Sequence, residues 1–453
     1  MATLMRSSDI EGGQAGREKA LWLRDYAQTT LDRSWKNRWI GVPLAEAAMI
    51  LTVFELSAHP LHDSSRIDTA ISFLDDIMQD LSITSLDYNH PNVSLFSRDA
   101  VPVVDCSDDD SYKSGQSTDG LSGSRTCSCV PAQWVTKPDP HSSWAWRLPW
   151  DATFTTREIR DEECRRLSWC ALNMVTYYAS QCVAFNKEPP ILYLNDPSNY
   201  AILFPGEIME RMSSSSSIDS GTFSDIRTPV SPSPKESLVA LNLRSVLLWT
   251  FCTRTLSKVT SMQERGALAA EAFREVTTLQ ESIDMHVCNL DTGMIYLTKE
   301  YLYNTRLIVT TSFRMLRPVT NDPHGHASMF NSNNIKEWVN YQYELVKRAT
   351  VRIPHVGSAQ GSQLTRQPFN VSWFVVQLSI CLSLWNLNRD AVETLELAKQ
   401  LLVPVETLNV LWPCATVQSQ CQELRKQLTA ACSASNVEGP PPTNFILPPI
   451  LKK

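Results

Sequence analysis

No C-x-x-C pair occurs in this 453-residue chain, no run of lysine or arginine exceeds two residues, and no apolar run approaches the length of a membrane span. Each absence excludes something. Without C-x-x-C the commonest spacing of a zinc site is missing. Without a basic stripe, and with a net charge of −7 and a pI near 5.7, broad phosphate binding by this chain is disfavoured. The most apolar stretch, 373–385, is too short to span a bilayer and contains Gln377, so a buried helix is expected. The first nineteen residues have no apolar core of a secretory leader, so the asparagines at 92 and 370, each in an N-x-S context, read as chance matches.

Motifs of chemistry are missing as well. Neither G-x-x-x-x-G-K-[ST] nor G-x-G-x-x-G is present, nor G-x-S-x-G, nor H-E-x-x-H. The histidine pairs His59/His62 and His324/His326 sit in turn-like sequence, and they read as solvated loop residues. Adjacent acids such as Glu162/Glu163 point about 100° apart on a helix and do not converge as an acid–base couple. No catalytic residue, metal ligand or cofactor follows from these residues, so an enzyme is not expected. The twelve cysteines are spread thinly and read as reduced, part-buried thiols.

What is present is helix. Apolar residues recur at three and four, no strand-like alternation of any length appears, and the fold class expected is all-α, a multi-helix domain with long disordered insertions. Residues 1–16 read as a disordered N-terminus and 17–84 as a first helical part. In it Leu21, Leu23, Tyr26, Ala27 and Leu31 share a face, and a serine caps the helix that repeats Ile67, Ile71, Leu74, Ile77, Met78 and Leu81. Residues 85–154 read as an insertion, flexible and acidic at first, then with four tryptophans in seventeen residues pinned on the core. Residues 155–210 hold one long helix, opened by a Thr155/Glu158 capping box and stopped by the lysine and prolines at 187–190, then an ordered loop.

Residues 211–236 form a Ser/Pro-rich linker in which Thr228, Ser231 and Ser233 each precede proline, as proline-directed phosphosites do; a passive spacer is the alternative. Residues 237–432 return to helices at about 238–262, 266–288, 291–316, 332–352, 368–387, 391–402 and 406–431, before a proline-rich tail at 433–453.

In the long helix, "RDEECRRLSWCALNMVTYYAS" spans 160–180. Cys164, Leu167, Ala171, Met174, Val175, Tyr178 and Cys182 make an apolar face, while Glu162 and Glu163 precede Arg165 and Arg166 in the favourable order. An exposed pair of this kind contributes about 0.2–0.5 kcal/mol, against about 1.5–3 kcal/mol for a buried large apolar side chain. Burial therefore makes the helix, and the charges are expected to mark its emergence at the surface.

This pattern of Glu162, Glu163, Arg165, Arg166 and Trp169 resembles the signature helix of the regulatory middle homology region of fungal zinc-cluster (Zn2Cys6) transcription factors. The segment 188–207 resembles the extended, proline-containing stretch that follows it there, and 41–60 and 67–87 resemble earlier helices of the same region, so the likeness covers about 17–430. It implies a regulatory or interaction domain controlling RNA polymerase II transcription in the nucleus; failing that, the expected location is cytoplasmic and not secreted. Protein partners from the transcription machinery, a dimer partner or a small-molecule effector are implied too, with Trp169, Tyr177, Tyr178, Tyr200 and Phe204 as candidate pocket aromatics beside the signature helix, although core packing is the reading favoured for each. The family's six-cysteine cluster, which holds two zinc ions and grips DNA, has no counterpart in these residues. The chain accordingly looks like the regulatory part alone, and no cofactor, membrane or direct nucleic-acid contact is expected of it. A helical scaffold unrelated to transcription is the next reading, and a helical enzyme the last, because the one acidic cluster, 105–110, lies outside any helix.

Overall fold

The computed structural model describes residues 13–106, 150, 152–209, 233–256, 258–286, 293–314, 333–355 and 370–442. Among them there is no strand, and the all-α class holds. The described α-helices are α1 (Gly13–Lys36), α2 (Val42–Leu56), α3 (Ser64–Leu81), α4 (Thr156–Ala184), α5 (Leu238–Thr255), α6 (Met262–Asp284), α7 (Gly293–Arg314), α8 (Asn333–Arg352), α9 (Asn370–Leu387), α10 (Val392–Leu411) and α11 (Ala415–Ala434). The chain divides into two compact units: Met1–Leu81 with Met174–Leu192 and Ile335–Lys453, and Ser82–Asn173 with Tyr193–Asn334.

In the first unit α2 packs on both α1 and α3, and α9, α10 and α11 pack on one another. Helix α1 begins at Gly13, inside the stretch expected to be disordered, while the expectation for 1–12 falls outside the described residues. Its inward face carries Ala20 and Leu31, whereas Tyr26 points outward and stacks on Trp22 at 5.8 Å between ring centroids. Proline 43 opens α2, where its missing N–H is no loss. Helix α3 buries Ile67, Ile71, Leu74, Ile77 and Met78 as expected. Its cap is Asp63 and not a serine: the helix starts at Ser64, so Asp63 is the residue in front of it, and its carboxylate accepts the Ser65 N–H at 3.1 Å.

One further expectation changes in this unit. Residues 392–411 form one helix with Pro404 inside it, although a break was expected there. Pro404 is buried, so packing offsets the lost backbone bond, and the chain turns instead at 412–414. The tail is tied down as far as it is described: Lys399 donates to the Glu438 carbonyl at 3.0 Å, and Arg425 donates to the Pro441 carbonyl.

The second unit has α5, α6 and α7 packed pairwise around a core that includes Leu241, Leu248, Phe251, Val276, Leu279 and Leu302. Ser237 and Ser261 cap α5 and α6 by accepting the N–H groups of Ala240 and Glu264, each at 3.3 Å. Val101 joins that core and Val104 is buried too, so the first part of the supposed flexible insertion, 85–106, is an anchored loop. Residues 107–149, with three of the four tryptophans, lie outside the described residues. The fourth, Trp150, lies under the guanidinium of Arg166, 3.9 Å from the ring centroid.

Helix α4 belongs to both units, which divide after Asn173. Its start is the expected capping box: the Thr155 N–H donates to Glu158 Oε2 at 2.7 Å, and the Glu158 N–H to Thr155 Oγ1 at 3.3 Å. Its end is set before the prolines. Asn186 has φ 54, the Lys187 N–H reaches the Cys182 carbonyl at 2.8 Å, and the Asn186 N–H reaches that of Val183 at 3.0 Å. This is a Schellman cap with asparagine in the left-handed position.

Candidate functional site

The signature residues do not mark a surface. Glu162 and Arg165 are only 1% and 5% exposed, so the expected emergence of the helix at these charges is corrected. Arg165 forms a two-pronged pair with Asp87: Nε to Oδ2 and Nη2 to Oδ1, both at 2.8 Å. Asp87 Oδ2 also accepts the Leu203 N–H at 2.9 Å. Glu162 Oε1 accepts from Arg166 Nε and from the Gly206 N–H, both at 3.0 Å. One turn further along α4, Trp169 Nε1 donates to the Leu203 carbonyl at 2.9 Å. Glu163 stays exposed and takes no part.

Glu162, Arg165 and Trp169 stand at i, i+3 and i+7, on one stripe of α4. That stripe holds a single segment, 203–206, by its backbone. The segment is shaped to be held: Pro205 and Gly206 occupy the middle of a tight turn closed by the Glu207 N–H on the Phe204 carbonyl at 3.1 Å, and Gly206 has φ 82, which glycine adopts without strain. Glu207 Oε2 returns to the Phe204 N–H at 3.0 Å. Upstream, Ala201 exchanges backbone bonds with Thr84 (2.9 Å) and Asp87 (3.1 Å). The next stretch back is fixed by Asp196, which caps Ser198 and pairs with Arg254 at 2.7 Å. Burial alone would raise the Asp196 carboxyl, but the bonds from Arg254 and Ser198 outweigh it and lower its pKa.

The aromatic residues expected to line a pocket part company. Trp169, Tyr200 and Phe204 are fully buried and stacked, with ring centroids 5.0 and 5.2 Å from Trp169, and they fill the interior between α4 and the segment it holds. Tyr177 is half-buried. Tyr178 does border a cleft. Its hydroxyl donates to Asp68 at 2.6 Å, and burial together with that carboxylate raises its pKa, so it stays protonated.

That cleft, of about 90 Å³, lies within the first unit, between the starts of α3, α9 and α11 and the end of α4. Ile67, Val375 and Val376 are among its apolar lining residues, and His62, Gln181 and Thr416 among its polar ones. Burial, then repulsion from His59, push the His62 imidazole below its usual range. His62 Nδ1 stands 3.0 Å from the carbonyls of both Glu55 and Ser57, so Nδ1 carries the proton and Nε2 is an acceptor. Gln181 Nε2 is buried without a hydrogen-bond partner among the described residues.

Behind His62 is a second buried charge centre. Glu55 is enclosed by Arg24, by Arg66 (Nε to Oε2, 3.1 Å) and by His59, whose Nε2 is 3.5 Å from Oε2. His59 Nδ1 accepts the Leu61 N–H at 3.2 Å, which leaves the ring proton on Nε2, facing the carboxylate. Burial by itself would raise the Glu55 pKa; the bonds from His59 and Arg66 and the charge of Arg24 bring it to about 2. His59 is 2% exposed, so its reading as a solvated loop residue is corrected. Glu55, one helical turn before His59, is a carboxylate partner that the reading of the histidine pair missed.

Of the proposed phosphosites, Thr228 and Ser231 lie outside the described residues, as does the pair His324/His326. Ser233 is half-buried and its hydroxyl accepts the Lys235 N–H at 3.3 Å, opening the short turn Pro234–Glu236. Among the described residues no three His, Cys, Asp or Glu side chains could share a metal such as the zinc that the family resemblance implies, and the nine described cysteines form no disulfide. No helix of the described residues is long and apolar enough to cross a membrane. Compared with protein-family models, curated proteins and solved structures, the chain matches none.

Proposed function

We propose that this chain is a regulatory and interaction module of a fungal zinc-cluster transcription factor, acting in the nucleus on RNA polymerase II transcription through protein partners. One observation carries the proposal. The two segments that resemble that family, the charged helix at 162–169 and the proline-containing stretch ending at 207, are each other's partners, joined by Glu162, Asp87–Arg165 and Trp169. What supports the reading is that the likeness-bearing side chains of one stretch meet the likeness-bearing backbone of the other. The buried groups have a structural role without chemistry: Glu162 and Trp169 satisfy backbone groups of 203–206 directly, and Arg165 does so through Asp87.

In this reading the chain acts by what it binds and leaves contact with DNA to another module. The test is sufficiency at a promoter. The full chain is fused to a heterologous DNA-binding module and tethered upstream of a reporter in a fungal cell. Reporter output should change several-fold, up or down, relative to the binding module alone. Unchanged output from a fusion that is stably expressed and nuclear overturns the proposal and leaves the helical scaffold as the better reading.

A further inference from the structure

The cleft at the end of α4 has the features of a small-molecule site. It is about 90 Å³, room for roughly three waters. Its lining is mixed: Ile67, Val375 and Val376 are apolar, and His62, Gln181 and Thr416 are among the polar residues, with Ser64, Ser372 and Gln420. The polar lining is uncommitted in a specific way. Thr416 Oγ1 already donates to the His62 carbonyl at 2.8 Å, and Tyr178 donates to Asp68. Gln181 Nε2, buried and without a partner among the described residues, is left to donate. His62 Nε2 is left to accept, because both carbonyls near Nδ1 fix the proton there. An orphaned buried amide costs about 1–3 kcal/mol, which a ligand oxygen would relieve.

We propose that this cleft binds a neutral molecule of about four to six non-hydrogen atoms that offers an acceptor to Gln181 and a donor to His62, and lays a branched apolar body on Ile67, Val375 and Val376. A primary amide on a short branched chain has that combination. A charged head group does not. Asp63 and Lys187 both border the cleft, so its lining holds one charge of each sign and singles out neither an anion nor a cation. The lowered pKa of His62 agrees with this, since the neutral ring is the form that accepts. The claim goes beyond the regulatory reading and does not depend on it: binding is measured on the purified chain, whereas the promoter assay contains no added ligand.

The test is ligand-observed NMR on the full chain with four probes of one shape: isobutyramide, isobutanol, isobutyrate and isobutylamine. Isobutyramide should bind saturably in the millimolar range, and the two ions at least tenfold more weakly. Val376→Phe, which enlarges an apolar lining residue, should abolish the signal, and Gln181→Leu should weaken it at least fivefold, with melting temperature checked for both. If Val376→Phe does not fold, Gln181→Leu decides. No saturable binding of isobutyramide, equal binding of all four probes, or an unchanged affinity in Gln181→Leu overturns the proposal.

Discussion

Asp87 shows how one residue can decide what a helix is for. Its carboxylate accepts both prongs of Arg165 and the Leu203 N–H, all within 2.9 Å. A pair this enclosed is not the exposed pairing with Glu162 that the helix spacing suggests for Arg165. Breaking one partner of a buried pair costs about 3–5 kcal/mol, because the other charge is left without compensation. Asp87→Asn should therefore lower unfolding free energy by about 3–5 kcal/mol in denaturant titration. A loss of about 0.5 kcal/mol or less would return the pair to the surface class.

Glu55 gives a second residue-scale prediction, in pH. Its pKa falls from 4.5 to about 2 on folding. A carboxyl depressed in the folded state stabilises that state at pH above its unfolded pKa and loses the contribution as pH falls toward the folded one. The first unit should thus lose stability between about pH 4.5 and 2. In Glu55→Gln that slope should be much reduced while stability at neutral pH is lower; an unchanged slope would place the acid sensitivity elsewhere.

Among the elements, α4 was legible at its start and misread at its end. Thr155 and Glu158 are three residues apart, so their mutual bonds are local and the sequence shows them. Thr155→Ala should cost about 1 kcal/mol of stability, measured by thermal or chemical unfolding. The prolines at 189 and 190 looked like the stop, but the turn is made earlier by Asn186 at φ 54. Asparagine tolerates that conformation and glycine prefers it, whereas a β-branched residue does not. Asn186→Gly should be neutral or stabilising and Asn186→Val destabilising by about 1–2 kcal/mol; equal stabilities would mean that the left-handed cap is not maintained in solution. In α10 the reverse happened. Pro404 reads as a break because the sequence shows its missing N–H and hides the burial that compensates for it.

For the whole molecule, helical class and most helix positions were legible because periodicity is a local signal. The clamp on 203–206 was not, because its centre, Asp87, is 78 positions from Arg165 and lies in a stretch whose composition suggested a loose insertion. The cleft was hinted at by Tyr178 alone. Gln181 could not be singled out, since an amide without a partner is a property of packing. Net charge, in contrast, is a whole-chain quantity and supports a prediction directly. At −7, and with Arg165 and Arg166 engaged by Asp87 and Glu162, the purified chain should give no tight, steeply salt-dependent shift of random duplex DNA. A tight shift with a steep salt slope would expose a basic surface that these residues do not supply.

We propose that the chain regulates transcription, and acute loss of the protein is the direct test. The endogenous protein is fused to a conditional degron in cells that express it, and nascent RNA is sequenced within minutes of depletion. The account predicts a defined set of genes whose synthesis changes at once, before secondary effects accumulate. Complete depletion with no early change in nascent transcription would contradict it.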